Sequence, residues 1–261
     1  MKIVISSGHG LHVRGAKGFI DEVDEARLVT DKVAQILNHA NISADVFHEN
    51  YARTQRDNLN AIIRHHNKHH RDLDVSIHFN AVAGVRDEGI GVEVCYAKGN
   101  EDMRIIASRI AGAISSASGL KLRRGDGSFP RADLGFLNNT NINKAVLIEV
   151  CFVNSREDVR LYQLHFDDIC KGIARAVSGC ELPQPPFAST VNISLARGEV
   201  TIPAENINGS WFWDVNLCDG RVARASLRDA LESLGYGVSW DRETNTVTAV
   251  FDDFEKSILA Q

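Results

Sequence analysis

The chain has 261 residues, of which 44% are hydrophobic and 24% are charged, and its formal net charge at pH 7 is −5. These values are typical of a globular protein with a substantial core, and the negative charge argues against nucleic acid as the main partner. No apolar run approaches the roughly 18 residues of a membrane span, so we expect no membrane insertion. No separate apolar segment precedes the first strand, so we expect a protein made in the cytoplasm without a signal peptide.

Strand-like and helix-like segments alternate through the first 180 residues. The first strand begins at Lys2 and ends at the sequence Ser6-Ser7-Gly8-His9-Gly10. Such alternation favours an α/β fold, with a mainly parallel sheet covered by helices on both faces. The later predicted strands are residues 42–47, 73–79, 89–96 and 145–152, and the predicted helices are residues 20–38, 53–70, 103–117 and 156–177.

The composition changes at Cys180. Three of the five prolines lie in residues 181–187, which is typical of a stiff linker. Residues 181–261 carry 12 acidic and six basic side chains, whereas the preceding residues are nearly balanced. We therefore predict a first domain over residues 1–179, a linker over 180–189 and a small α+β domain over 190–261, with a helix at Ala225–Leu234.

The five cysteines are widely spaced and form no Cys-x-x-Cys pair. An odd number in this pattern favours reduced, mostly packed thiols over a disulfide framework, and it disfavours a thiolate zinc site. The residues are Cys95, Cys151, Cys170, Cys180 and Cys218.

Four polar residues stand where packing alone would not place them. His9 ends the first strand, Glu25 lies in the first turn of the next helix, and His78 and Glu149 interrupt apolar strands. An unpaired imidazole or carboxylate in the core costs several kcal/mol. A bound metal would remove that cost, because it gives the buried groups a partner. Two imidazoles and one carboxylate, with a fourth position left open, are the ligands of a catalytic zinc site of the kind used in hydrolysis. Glu149 suits the second carboxylate, which exchanges protons with the reactants.

Each assignment has an alternative. His78 could be a buried histidine bonded to the backbone. Glu25 competes with Glu22 and with two neighbouring aspartates, any of which could simply complement the helix dipole. Glu149 is the hardest to explain structurally, because its neighbours are all apolar.

Four separated motifs resemble those of the zinc-dependent N-acetylmuramoyl-L-alanine amidases of the type 3 family. They are Gly8-His9-Gly10, a glutamate at the head of the next helix, Ser76-Ile77-His78-Phe79-Asn80 and Glu149-Val150-Cys151-Phe152-Val153-Asn154-Ser155. The match covers about residues 1–178. It implies Zn²⁺ held by His9, Glu25 and His78, with Glu149 as the catalytic acid and base. In the family, the ligand glutamate is followed by a helix that runs away from the site. Glu25 matches this pattern better than Glu22, and Glu22 is the alternative ligand.

The resemblance implies hydrolysis of the amide between N-acetylmuramic acid and L-alanine in bacterial peptidoglycan. Asn80, just after His78, and Arg131, in the loop before the last strand, are candidate substrate-binding residues, with loop structure as the alternative for both.

A second histidine cluster, His65-His66 and His69-His70, has the i, i+4 spacing that can chelate a metal on a helix. Basic residues surround it and no carboxylate is interleaved. We therefore interpret it as a solvated helix face.

Residues 190–251 resemble the small module named after the N-terminal domain of copper amine oxidases, with strands at Gly237–Trp240 and Thr246–Phe251. The segment has no histidine, so no copper chemistry is implied. Its expected role is binding to a wall polymer, with self-association as a further possibility. The aromatic residues Trp211, Phe212 and Trp213 could stack on sugars, or they could fill a small core.

The leading hypothesis is a phage or prophage endolysin that reaches the cell wall after release, with a mother-cell lytic amidase as the nearest alternative. A wall-binding protein without catalysis and a zinc peptidase or deacetylase are the other hypotheses.

Overall fold

The computed structural model describes residues 1–180 in full and, beyond them, the backbone of six strands: residues 189–195, 198–207, 210–216, 222–226, 236–241 and 246–251. The chain divides into two units, Met1–Leu182 and Pro183–Gln261. In the described part of the chain, no helix is long and apolar enough to cross a membrane.

A six-stranded mixed sheet forms the centre of the first unit. Its order is β2-β1-β3-β6-β4-β5, and every adjacent pair is parallel except β4 with β6. The reversal follows from the connection between β3 and β4, which contains no helix and so provides no parallel crossover. The predicted, mainly parallel sheet is thus confirmed. The strands are β1 (Lys2–Ser7), β2 (Ser43–Phe47), β3 (Leu73–Asn80), β4 (Glu93–Ala97), β5 (Ser128–Arg131) and β6 (Ala145–Phe152).

Side-chain oxygens start most of the helices. Asp21, Thr54, Asn100 and Ser155 each accept a hydrogen bond from a backbone N–H in the first turn of the helix that follows. The helices are α1 (Glu22–His39), α2 (Gln55–Lys68), α3 (Glu101–Ser118), α4 (Gly135–Asn139), α5 (Arg156–Leu164) and α6 (Phe166–Ser178).

The predicted helix over residues 156–177 is two helices. The chain turns at His165, and α5 then packs against β6 whereas α6 packs against α1 and α3. A single straight helix could not reach both sets of partners.

Both faces of the sheet are covered, as predicted. The larger core joins the sheet to α1, α3, α5 and α6. A smaller cluster on the other face joins Ile62 of α2 and Phe136 of α4 to Cys95 and Leu147 of the sheet. Cys95, Cys151 and Cys170 are buried and Cys180 is exposed, and Cys95, Cys151 and Cys180 are free thiols, as expected. Cys218 lies outside the described residues.

The second unit contains two antiparallel sheets. The first has the order β10-β9-β8-β7 and the second pairs β11 with β12. β11 and β12 contain the two predicted strands. Most of the predicted helix, and the side chains of Trp211, Phe212 and Trp213, lie outside the described residues. Ala225, the first residue of that predicted helix, is in β10. The strands are β7 (Ser189–Leu195), β8 (Gly198–Ile207), β9 (Ser210–Asn216), β10 (Val222–Ser226), β11 (Tyr236–Asp241) and β12 (Thr246–Phe251).

Candidate metal centre and active site

Two predicted ligands, His9 and His78, meet where the parallel strands β1 and β3 end. The Gly8 N–H donates to the Ile77 carbonyl oxygen at 2.9 Å, which holds the two strand ends together. A Cβ atom on Gly8 would overlap the His78 ring, so glycine is what lets the ring lie against this turn. The His9 and His78 rings are 5.0 Å apart between centroids and nearly perpendicular.

The carboxylate that meets these histidines belongs to Glu22. Its Oε1 is 2.9 Å from His78 Nδ1 and 3.5 Å from His9 Nε2, and its Oε2 accepts a 2.6 Å hydrogen bond from Ala16 N–H. One ligand atom from each of the three side chains lies within 4.8 Å of the other two. Glu22 is 3% exposed, so its carboxylate is committed to this cluster.

Glu25, the ligand expected from the sequence, is not brought to the histidines. Its Oε2 accepts a 2.7 Å hydrogen bond from the Tyr162 hydroxyl. This placement has a simple cause: α1 begins at Glu22, capped by Asp21, so the first helical residue faces the ends of the strands and Glu25 lies nearly one turn further on.

The charges within the cluster shift the pKa values of its side chains. Burial and the neighbouring His78 lower the pKa of His9, which favours the neutral imidazole that metals bind. Burial alone would raise the pKa of Glu22, but the hydrogen bond to His78 and the charges of both histidines outweigh it and lower that pKa. An ionised carboxylate with two imidazoles is a donor set that zinc accepts.

Glu149 lies beside this cluster on the neighbouring strand. It is in register with His78 of β3 on one side and with Glu93 of β4 on the other. Residues paired in this way project from the same face of a sheet. Burial, reinforced by the charges of Glu22 and Glu93, raises the pKa of Glu149 to about 7. Two buried polar atoms here, His9 Nδ1 and Glu149 Oε2, have no hydrogen-bond partner among the described residues.

Glu93 is a site residue that the sequence analysis missed. It is 2% exposed and accepts hydrogen bonds from Asn80 Nδ2 at 2.9 Å, Arg123 Nη1 at 2.8 Å and Arg124 Nε at 3.1 Å. The available signal was the one that identified Glu149, namely a carboxylate between apolar residues of a predicted strand.

The two predicted substrate-binding residues, Asn80 and Arg131, each lie at the end of a strand of the same sheet. Asn80 ends β3, and its Oδ1 accepts a hydrogen bond from the Ala81 N–H. Arg131 ends the edge strand β5 and forms two hydrogen bonds, of 2.8 and 2.7 Å, with Asp133. Their roles toward substrate stay predictions.

The second histidine cluster is not a uniformly solvated face. His66 is fully buried: its Nδ1 is 2.7 Å from Asp74 Oδ1 and its Nε2 is 3.0 Å from Ser6 Oγ. His65 and His69 are partly exposed and lie with Asp45 in a second group of three side chains that could hold a metal. The correction concerns His66, whose polar atoms are satisfied inside the fold.

The thiols near Glu149 are poor nucleophiles. Burial, together with the charges of Glu149 and Glu93, raises the pKa of Cys95 to about 12. Burial also raises the pKa of Cys151 well above its ordinary value. Both side chains are therefore protonated thiols at neutral pH.

A family model described as N-acetylmuramoyl-L-alanine amidase, Amidase_3, matches residues 3–179. That range contains β1 to β6, the histidine and glutamate cluster and Glu149. The chain belongs to this amidase family.

Two curated relatives from Clostridium perfringens match part of the chain. A 38.4 kDa protein is 34% identical over 202 residues, which are 74% of this chain and 57% of the relative. The protein CPE1502 of strain 13 is 31% identical over 194 residues, which are 70% of this chain and 53% of the relative. The chain thus spans little more than half the length of these two relatives.

Solved amidase structures share the fold. The catalytic domain of the CD27L endolysin, which targets Clostridia difficile, is 25% identical, with a TM-score of 0.60 over 70% of this chain and 99% of that domain. The CwlD amidase of Clostridioides difficile, solved with the GerS lipoprotein, is 20% identical, with a TM-score of 0.60 over 68% of this chain and 96% of CwlD. An N-acetylmuramoyl-L-alanine amidase of Clostridium difficile 630 is 22% identical, with a TM-score of 0.58 over 68% and 95% of the two chains.

Proposed function

We propose that this protein is a zinc-dependent N-acetylmuramoyl-L-alanine amidase that hydrolyses bacterial peptidoglycan. The observation that supports the proposal best is the group of His9, Glu22 and His78 beside Glu149, one carboxylate oxygen of which has no hydrogen-bond partner among the described residues. The membership of residues 3–179 in the amidase family supports the choice of substrate.

In this proposal, His9, Glu22 and His78 hold one Zn²⁺. Zinc bound there would lower the pKa of a water molecule bound to it and would polarise the scissile carbonyl. Glu22 provides the only negative charge of the ligand set, and Ala16 N–H orients its second oxygen. The Gly8 turn keeps the His78 ring in place against the strand end.

Glu149 transfers the protons. Its carboxylate takes a proton from the attacking water as the C–O bond forms, and it returns a proton to the nitrogen of L-alanine as the C–N bond breaks. The products are a free lactyl carboxylate on the glycan and a stem peptide with a free amine. A pKa near 7 suits both steps, because the same group must accept and donate a proton near neutral pH.

The endolysin assignment is also part of the proposal. The similarity to the catalytic domain of the CD27L endolysin, at 25% identity over nearly all of that domain, supports an enzyme that lyses bacteria by acting on the wall after release. We propose that the second unit binds a wall polymer or associates with itself.

Digestion of purified peptidoglycan tests the activity. Zinc-loaded wild type and Glu149→Gln are compared, and mass spectrometry identifies the fragments. We expect stem peptides that begin with a free L-alanine amine from wild type and at least about a hundredfold less from the variant, because general acid–base catalysis contributes at least this factor. Cleavage inside the peptide would indicate a peptidase instead. No cleavage of several wall types would leave the non-catalytic wall-binding hypothesis.

A further inference from the structure

The row of side chains across the sheet does not end at Glu149. His78, Glu149 and Glu93 occupy consecutive register positions on β3, β6 and β4. Beyond Glu93 lie two arginines, Arg123 and Arg124, which both donate to the same oxygen, Glu93 Oε2. The other oxygen, Oε1, accepts from Asn80, so hydrogen bonds fix the orientation of the whole carboxylate.

This arrangement carries an excess of positive charge. Two guanidinium groups share one carboxylate, and within the described residues neither forms a second ion pair. The side chains of Arg123 and Arg124 are 28% and 44% exposed, respectively. Since Glu93 takes one N–H group from each arginine, each guanidinium keeps further N–H donors for a ligand.

Aromatic rings and the backbone hold the two guanidinium groups in place. The Arg123 guanidinium lies over the Phe152 ring at 4.8 Å, and that of Arg124 lies over the Phe129 ring at 3.7 Å. The backbone N–H of Arg123 donates to the Val92 carbonyl oxygen at 3.1 Å, which attaches the backbone at Arg123 to the residue before β4. Arg124 adopts a left-handed backbone with φ of 57°, which is uncommon for a residue with a side chain.

We propose that Arg123 and Arg124, positioned by Glu93, bind a carboxylate of the stem peptide. The inference rests on the proposed amidase function, and it names the part of the substrate that this end of the site recognises. A guanidinium matches a carboxylate with two parallel hydrogen bonds, which gives direction as well as charge.

The distance from the metal ligands to the two arginines fits a stem peptide that extends across the sheet from the scissile amide. Adjacent strands are about 4.8 Å apart, so Glu93 lies about 10 Å across the sheet from His78. An extended peptide covers about 3.3 Å per residue, so it reaches the level of Glu93 about three residues beyond the scissile bond, and it would meet the arginines at that residue or further on. The N-acetylated sugars of the glycan have no free carboxylate while the lactyl group is in amide linkage, whereas the stem peptide does.

Arg131 differs from this pair. It also approaches Phe129, with 5.4 Å from its guanidinium to the ring centroid, but Asp133 neutralises it through two hydrogen bonds. Among these three arginines of the described chain, the excess positive charge therefore lies on Arg123 and Arg124, which share the single carboxylate of Glu93.

Matched substrates test the proposal. Synthetic muramoyl peptides that differ only by amidation of one carboxylate at a time are compared by kcat/KM at low and high salt. We expect wild type to prefer the free acid at one position by about tenfold, since hydrogen bonds between charged groups are worth this factor or more. The preference should shrink as salt screens the charges.

Arg123→Ala and Arg124→Ala should each reduce kcat/KM for the preferred acid more than for its amide, so that the ratio between the two substrates falls toward one. Arg124→Lys should keep part of the preference, because it keeps the charge but loses the planar pair of donors. Arg160→Ala, which removes an exposed arginine paired with Glu157 on α5, is the control and should retain the full preference. Circular dichroism verifies the fold of each variant.

Binding of the free stem peptides to the zinc-loaded protein, measured by calorimetry, separates this proposal from the catalytic one. An acid peptide that binds about tenfold more tightly than its amide, with the difference lost in Arg124→Ala, supports the arginine site even if no hydrolysis occurs. Equal kcat/KM and equal binding for acid and amide, or an equal loss on both substrates in Arg124→Ala, would overturn it.

Discussion

Glu22 and Glu25 show how much a single position on a helix matters. Both are acidic residues in the first turn of α1, and both are largely removed from solvent. Glu22 contacts the two histidines, whereas Glu25 accepts a hydrogen bond from the Tyr162 hydroxyl, in a setting where burial raises the pKa of Glu25. The same side chain therefore serves a candidate metal site at one position and a packed helix interface at the other.

Glu22→Gln and Glu25→Gln form a matched pair. We expect Glu22→Gln to bind one zinc fewer per chain and to lose amidase activity, because an amide is a weak zinc ligand. Glu25→Gln should keep both properties and lose at most about 2 kcal/mol of stability, the scale of one hydrogen bond to a charged group. Metal analysis and peptidoglycan digestion check the pair. Zinc loss in Glu25→Gln alone would restore the assignment made from the sequence.

At the scale of elements, the packing of α6 on α3 limits which residues fit at the contact between the two helices, and the helical periodicity of the sequence does not reveal this limit. Gly112 of α3 and Gly172 of α6 both lie inside helices, where alanine is normally favoured. A Cβ on Gly112 would meet nothing within 4 Å, whereas a Cβ on Gly172 would lie 3.1 Å from the Ala113 carbonyl oxygen of α3. The two glycines have the same local preference and different tertiary surroundings.

Substitution of these glycines should have opposite effects on the free energy of unfolding. Gly112→Ala is expected to raise it by about 0.5–1 kcal/mol, because alanine loses less backbone entropy in a helix. Gly172→Ala is expected to lower it by about 1–3 kcal/mol, because the added methyl group separates the packed helices. Denaturant unfolding followed by circular dichroism measures both. Equal gains would contradict the close approach of α3 and α6.

His66 connects α2 to β1 and β3 through Ser6 and Asp74, and Arg71 also donates to Asp74 at 2.6 Å. Burial lowers the pKa of His66, and Asp74 offsets only part of that effect. An unfolded histidine has a pKa of about 6.5. As the pH falls below that value the unfolded chain takes up a proton that folded His66 does not, so this contribution to stability is present above pH 6.5 and lost on acidification.

The expected result is a fall in the free energy of unfolding between about pH 6.5 and the lowered pKa of folded His66, larger in wild type than in His66→Asn. The asparagine amide can still donate to Asp74 but does not titrate. Unfolding measured in urea at a series of pH values gives the two curves. Parallel curves for wild type and His66→Asn would show that His66 has the same pKa in the folded and the unfolded chain.

On the scale of the whole molecule, the candidate zinc ligands come from three separate parts of the first unit. His9 follows β1, Glu22 begins α1 and His78 lies near the end of β3. Zinc bound to all three would link the first strand, the first helix and a central strand. A ligand that binds only the folded state stabilises it in proportion to the logarithm of its free concentration.

Removal of zinc should therefore lower thermal stability. At free zinc one hundred times the dissociation constant, we expect a gain of about 2.7 kcal/mol over the chelated protein. Calorimetry of the full chain with chelator and with buffered zinc measures the shift in Tm. Glu22→Gln should show little of the shift. A zinc-induced shift of the same size in that variant would place the stabilising ion elsewhere, for instance at Asp45, His65 and His69.

The sequence by itself determined the alternation of strands and helices, the cover on both faces of the sheet, and the position of His9, His78 and Glu149 on strands or at a strand end. These features follow from local apolar patterns, which repeat within a few residues. Only the tertiary structure brought Glu22 rather than Glu25 to the two histidines, buried His66, and brought Arg123 and Arg124 to Glu93. Those outcomes depend on strand register and on the direction in which each helix leaves its cap, and both are set by contacts between residues far apart in the chain.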